Sequence, residues 1–145
     1  MRESRGAGAR RARRARGARR PLVSVVVPAR DEAAVLPAFH RRLAAVLDRL
    51  GPRAEIVYVD DGSTDGTWEL IASLAVADRR VTALRLARSF GHQAALSAGI
   101  DRAAGDAVVT IDADLQDPPE LIPDLVARWQ EGFAVVHARR TRRRG

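Results

Sequence analysis

Asp112-Ala113-Asp114 is the feature of this sequence whose chemistry can be read most directly. It follows an apolar strand-like run, Ala107–Ile111. Residues two apart at a strand end point the same way, so both carboxylates can face one ion. Two such carboxylates repel each other until a cation joins them. The chain has no cysteine, and hard oxygen donors favour Mg2+ or Mn2+ over zinc. The plainer alternative is a solvated turn with an aspartate capping the next helix. Asp117 suits that capping role better, because Pro118 follows it and proline favours the first helical position.

A second acidic run, Asp60-Asp61-Gly62-Ser63, also has two readings. It fits a turn plus a cap for the helix carrying Trp68. Two aspartates in series exceed what a cap requires, and a carboxylate here could accept from a base N–H or a ribose hydroxyl. Further polar clusters are Pro28-Ala29-Arg30-Asp31-Glu32 and Ala87-Arg88-Ser89-Phe90-Gly91-His92-Gln93. Of the histidines, His40 lies on an arginine-rich helix face and is expected to be solvated, His92 lies among the polar clusters, and His137 says little. Several common sites are excluded by spacing: there is no G-x-x-x-x-G-K-[ST], no G-x-S-x-G, and no G-x-G-x-x-G after the first strand.

The elements that must carry these clusters alternate strictly. Leu22–Val27 is a continuous β-branched run ended by Pro28, the pattern of a strand buried on both faces. Leu36, Phe39, Leu43, Val46, Leu47 and Leu50 recur at helical spacing until Gly51-Pro52 stops them. Ile56–Val59 reads as a second strand, Thr67–Ala77 as a helix, Val81–Leu86 as a third strand and Gln93–Ala104 as a small-residue helix. Ala107–Ile111 is the fourth strand. A helix after Pro118-Pro119 places Leu121, Ile122, Leu125, Val126 and Trp129 on one face, and Phe133–Val136 opens a fifth strand. This alternation predicts an α/β fold, a doubly wound and mostly parallel sheet. Ligands of such sheets bind beyond the carboxyl ends of the strands, which is where all four polar clusters fall.

Composition separates the ends from the body. The 145 residues include 25 basic side chains, every one an arginine, against 18 acidic ones. Residues 1–20 hold nine arginines and one glutamate, and Arg139–Arg144 holds five more, so the body from 21 to 138 is acidic. The absence of lysine excludes Schiff-base chemistry and a P-loop lysine. Met1–Arg20 is low in complexity and is expected to be disordered. It is read as a solvated tail, as a polybasic stretch for anionic lipid, or lastly as a nucleic-acid arm, which the lack of interleaved aromatics disfavours. No run approaches the roughly 18 apolar residues of a membrane span. Three segments are expected: a basic tail over 1–20, a ligand-binding domain over 21–138 and a basic end over 139–145.

Taken together, Ser24-Val25-Val26-Val27-Pro28-Ala29, Glu55–Thr67 with its Asp60-Asp61-Gly62-Ser63 core, and Asp112-Ala113-Asp114-Leu115-Gln116-Asp117-Pro118-Pro119-Glu120 resemble glycosyltransferase family 2 with the GT-A fold. Ser89-Phe90-Gly91-His92-Gln93-Ala94-Ala95-Leu96 narrows the resemblance to the polyprenyl-phosphate glycosyltransferases, from Leu22 to about Arg140. It implies inverting transfer of a sugar from a UDP- or GDP-linked donor to a lipid-linked phosphate at the cytoplasmic face of a membrane, with Mg2+ or Mn2+. By position it implies that Pro28, Arg30, Glu32, Asp60 and Asp61 line the nucleoside pocket. Asp112, Ala113, Asp114 and Gln116 would hold metal and diphosphate, with Asp112 and Asp114 catalytic and Arg140 near the diphosphate. Arg30 stands where the family often has an aromatic, and Asp31 where it usually has asparagine. Family members continue beyond this length, so the chain is expected to be the donor-binding portion of a larger enzyme, or alternatively an inactive nucleotide-sugar-binding module.

Overall fold

The computed structural model describes residues 20–136 and the backbone pairing of Glu3–Ser4. Its elements are β1 (Glu3–Ser4), β2 (Leu22–Ala29), α1 (Leu36–Asp48), β3 (Arg53–Asp60), α2 (Thr67–Ala77), β4 (Val81–Arg85), α3 (His92–Arg102), β5 (Ala107–Thr110), a 3-10 turn (Pro119–Leu121), α4 (Ile122–Gln130) and β6 (Val135–Val136). The main sheet has the order β4-β3-β2-β5, and every pair in it is parallel. The expected α/β alternation is therefore present over the first four long strands.

The centre is β2, whose residues from Val23 to Ala29 are all buried. Val23, Val25 and Val27 face a cluster that includes Phe39, Leu43, Tyr58, Ile71 and Trp129 on the side of α1 and α4. Val26 faces the other way, with Val57, Val59 and Ala95, under α3. Each fully buried valine contributes about 1.5–3 kcal/mol, which is why the run carries no alternation of apolar and polar residues. Ser24 is the buried exception, and two partners explain it. Its Oγ donates to Glu55 Oε1 at 2.5 Å and accepts the Gly105 N–H at 2.8 Å, while Glu55 Oε1 also accepts the Ala104 N–H at 2.6 Å. The Leu22 N–H donates to Asp106 Oδ2 at 2.9 Å, completing a clasp between β2, β3 and the turn into β5.

The structure differs from the sequence reading at several points. The apolar run at Phe133–Val136 yields only Val135–Val136, which pairs antiparallel with Glu3–Ser4 and does not extend the parallel sheet. An apolar run signals a strand but does not choose its partner. Leu121 is 41% exposed, so the inward face of α4 is Ile122, Val126 and Trp129. Asp117 is not the cap, since the 3-10 turn begins after Pro118 with no side-chain cap. His40 is buried rather than solvated. Its Nδ1 lies 2.7 Å from Tyr58 Oη and its Nε2 3.5 Å from Asp78. With Nε2 carrying the proton toward the Asp78 carboxylate, Nδ1 accepts from the Tyr58 hydroxyl, whose own ionisation is pushed up by burial.

Two predictions follow from this packing. A Cβ at Gly99 would run into Val26 Cγ1, with Val59 Cγ2 3.1 Å away, whereas one at Gly51 would meet nothing within 4 Å. Gly99→Ala should therefore destabilise by about 1–3 kcal/mol through overpacking despite the gain in helix propensity, while Gly51→Ala stays within about 0.5 kcal/mol; thermal melting of both variants checks this. Burial holds the His40 pKa below its ordinary value of 6.5, with Arg80 adding to the effect and Asp78 opposing it. Stability from the neutral ring is fully present above the unfolded pKa and is lost as pH falls below it toward the folded value. Between pH 7.5 and 5.5 the melting temperature should drop, and His40→Gln should flatten that slope.

Candidate functional site

Strands β3 and β4 lie on one side of β2 and β5 on the other, so the direction of winding reverses between β2 and β5. A cleft at such a switch point is the usual ligand position in open α/β sheets. Strand β3 pairs with β2 over its whole length, whereas β5 stops at the Val26–Thr110 pair. Pro28 lies just beyond that stop. The Val26 carbonyl accepts from Ile111 and the Ala29 carbonyl accepts from Asp61 on the opposite side, so the N–H that Pro28 lacks falls on the open flank and interrupts no ladder.

Four loops leave this edge, and short polar side chains bind them to one another. Asp31, with φ of 52°, accepts the Thr64 N–H at 2.7 Å and the Asp65 N–H at 3.3 Å through Oδ1, and its own N–H donates to Ser63 Oγ at 2.9 Å. The Glu32 N–H donates to Thr67 Oγ1 at 2.9 Å, and the Ala33 N–H to Asp65 Oδ2 at 3.2 Å. Asp65 also accepts the Thr67 N–H at 2.9 Å, which leaves no capping work for Asp60 or Asp61.

Asp61 is buried and braces the third loop. Its Oδ1 accepts the Phe90 N–H at 2.7 Å, and its Oδ2 accepts the Gly91 N–H at 3.1 Å and the Ser89 hydroxyl at 3.2 Å. Gly62 allows the close approach: with φ of 68° it lies so near that loop that a Cβ would run into Ser89 N and come within 2.7 Å of the Arg88 carbonyl carbon. Asp60 is fully buried. One of its oxygens accepts the Ser63 N–H at 3.3 Å, while Oδ2 has no hydrogen-bond partner and lies 3.9 Å from Arg85 Nε. The Arg85 guanidinium in turn sits 5.3 Å from the centre of the Trp68 ring.

Across the switch point stand the remaining carboxylates. Asp112 Oδ1 lies 2.8 Å from His92 Nε2, and Asp114 Oδ1 accepts the Gln116 N–H at 3.0 Å around Leu115, which is held at φ of 63°. Glu32 reaches them electrostatically. Partial burial raises its pKa most, and the charges of Asp114 and then Asp112 raise it further. The structure thus gathers Glu32, Asp112 and Asp114 at one edge, with Pro28, Asp60, Asp61 and Ala113 buried behind them and Arg30 and Gln116 exposed. Among the described residues no three acidic or histidine side chains close into a ready-made metal cage. The donor set is all oxygen apart from His92, and the mutual repulsion felt by Glu32 is of the kind a hard divalent cation relieves. Arg140 lies outside the described residues.

The model of glycosyl transferase family 2 matches residues 24–145. This chain belongs to that family. Among curated family members, it is 44% identical over 121 residues to a bactoprenol glucosyl transferase of Shigella phage SfV, covering 83% of this chain and 39% of the relative. It is 46% identical over 123 residues to an undecaprenyl-phosphate 4-deoxy-4-formamido-L-arabinose transferase of Aeromonas hydrophila, covering 84% of this chain and 38% of that one. The chain thus spans less than two fifths of these relatives. Among solved structures, the mannosyltransferase PcManGT of Pyrobaculum calidifontis, in complex with GDP-Man and Mn2+, superimposes with a TM-score of 0.64 at 27% identity, covering 83% of this chain and 38% of that one. The chain is a glycosyltransferase sequence with the GT-A fold, in its N-terminal portion.

The brace made by Asp61 was not legible as such in the sequence, although Gly62 and the aspartate-rich turn were signals that loops meet there. Asp61→Ala should speed amide hydrogen exchange at Phe90 and Gly91 by about ten-fold or more, since a hydrogen bond to a charged group contributes about 1.5–3 kcal/mol; unchanged protection would remove Asp61 from this role.

Proposed function

We propose that this chain forms the donor-binding part of an inverting, divalent-metal-dependent transferase that moves a sugar from a UDP- or GDP-sugar to a polyprenyl or dolichyl phosphate. The observation that carries this reading is the convergence of Glu32, Asp112 and Asp114 at the switch point of a family 2 chain. Asp112 and Asp114 would hold Mg2+ or Mn2+ through the oxygens that His92 and the Gln116 N–H leave available, with Gln116 beside them. When bound, the metal supplies charge neutralisation for the leaving diphosphate.

The chain's own groups do the rest. The buried, unpartnered Oδ2 of Asp60 offers an acceptor to a base N–H or ribose hydroxyl. Pro28, Arg30 and Glu32 form the opposite wall of the nucleoside pocket, and Asp61 keeps the facing loop in place. Ala113 lets the donor pass close to the backbone between the two aspartates, and Arg140 would add positive charge near the diphosphate. A phosphate acceptor is already anionic, so positioning and electrostatics can carry the reaction without a strong general base. Such an acceptor is a membrane lipid, and we read the reaction as one at the cytoplasmic face. No helix among the described residues is long and apolar enough to cross one.

The short span relative to the family favours one second reading, a nucleotide-sugar-binding module without turnover. Calorimetric titration with UDP and GDP, with and without Mn2+, tests the donor site. One nucleotide should bind in a metal-dependent manner, and Asp114→Ala should weaken that binding at least about ten-fold, the loss of one charged contact. Unchanged affinity would sink the metal assignment. Binding without transfer to polyprenyl phosphate would favour the module.

A further inference from the structure

An arginine-bearing face runs along α1. Between α1 and the 3-10 turn leading into α4 runs a groove of about 640 Å3, walled by Arg41, Arg42 and Arg49 with Val46 and Pro123 among its apolar residues. At Arg49 and Pro123 it meets a second hollow lined by Arg20, Leu50 and Val126. The Arg42 guanidinium is neutralised by both oxygens of Glu120, at 3.0 and 2.7 Å. Arg41 and Arg49 have no acidic partner within 4 Å among the described residues, and the neighbouring Asp48 is engaged by Arg80 at 2.9 Å. Arg53, at the start of β3, donates to the Arg20 carbonyl at 3.5 Å.

We infer that this groove is a docking face for an anionic phospholipid surface, with headgroup phosphates against Arg20, Arg41 and Arg49. Charge complementarity selects the occupant. Three arginines without acidic partners among the described residues, Arg20, Arg41 and Arg49, flank an apolar floor, so their stems can lie along apolar surface while the guanidinium heads meet phosphate. The sequence places eight further arginines before Arg20, so the polybasic stretch adjoins, in sequence, an arginine that lines the second hollow. A nucleic acid fits less well, because no aromatic side chain lines either hollow for base stacking. The inference concerns a surface distant from the donor site and stands whether or not the transferase reading holds.

The test is co-sedimentation of the full 145-residue chain with vesicles of phosphatidylglycerol and phosphatidylcholine mixed about 3:7, and with phosphatidylcholine alone, at physiological salt. The chain should partition onto the anionic vesicles and not onto the neutral ones. Arg41→Glu with Arg49→Glu should lower that partition about ten-fold or more, with the arginine-rich tail intact. Arg79→Glu with Arg102→Glu, exposed positions outside the groove, should change it less than about two-fold. Should the double glutamate variant fail to fold, as judged by circular dichroism, Arg41→Gln with Arg49→Gln should still lower it by a smaller, measurable factor. The proposal falls if the groove variants bind as the parent does, if both pairs lose binding equally, or if neutral vesicles bind as well. It also falls if the groove changes weaken binding to a single-stranded oligonucleotide while vesicle binding holds.

Discussion

The early end of β5 is the constraint on which the rest of the site depends. Parallel strands give a sheet whose interior is satisfied only while every backbone group has a neighbour. Strand β3 supplies neighbours to β2 from Leu22 to Ala29, but β5 does so only from Val23 to Val26. Beyond that pair one flank of β2 is open, and the chain meets the opening with the one residue that has no N–H to orphan, Pro28. The opening lets the loop after β2 and the loop after β5 face each other, which brings Glu32 under the influence of Asp112 and Asp114. Had β5 continued two residues further, those carboxylates would stand along a closed ladder instead of across a gap.

An edge built from loops needs other means of holding its shape, and here acidic side chains supply them. Asp31, Asp61 and Asp65 each accept backbone N–H groups from a different loop or turn. Carboxylate-to-amide hydrogen bonds are stronger than neutral ones, so a few can fix loops that contribute little apolar burial. The acidic residues thus fall into two sets by what their oxygens do. One set braces, Asp61 and Asp65 through both oxygens and Asp31 through Oδ1 alone. The other, Glu32, Asp60, Asp112 and Asp114, keeps oxygen atoms that the protein itself does not satisfy.

That division explains what could and could not be read from the sequence. The strands and helices were legible because burial on both faces of β2 and β3 leaves continuous apolar runs, and α1 and α4 show a clean helical period. The polar clusters were legible at strand ends for the same reason. The partner of a side chain is set by tertiary contact and leaves no period. Asp60 and Asp61 look alike in the chain, yet Asp60 keeps a buried oxygen without a hydrogen bond while Asp61 holds a loop about 30 residues away. His40 looked solvated because its neighbours Arg41 and Arg42 are basic, but its position on α1 turns it toward Tyr58 and Asp78. Val135 and Val136 read as sheet, and only their partner, Glu3–Ser4 in an arginine-rich tail, was unforeseeable.

The charge arithmetic of the whole chain takes on meaning from the same placement. A net charge of +7 would suggest a uniformly attractive surface for anions, but the described body is acidic where the loops converge and basic along α1. Helix α1 starts just after Glu32 and ends beside Arg49, so the basic residues along it stand from about 8 Å (Arg41) to about 20 Å (Arg49) of helix from its start. At Arg49 that distance exceeds the roughly 8 Å Debye length of physiological salt, so that end of the basic face does little to offset the repulsion at the acidic edge. An anionic ligand at that edge would need its counter-charge on the spot. A cation shared between ligand and carboxylates meets that need, because the groups that repel the anion are the same groups that hold the cation.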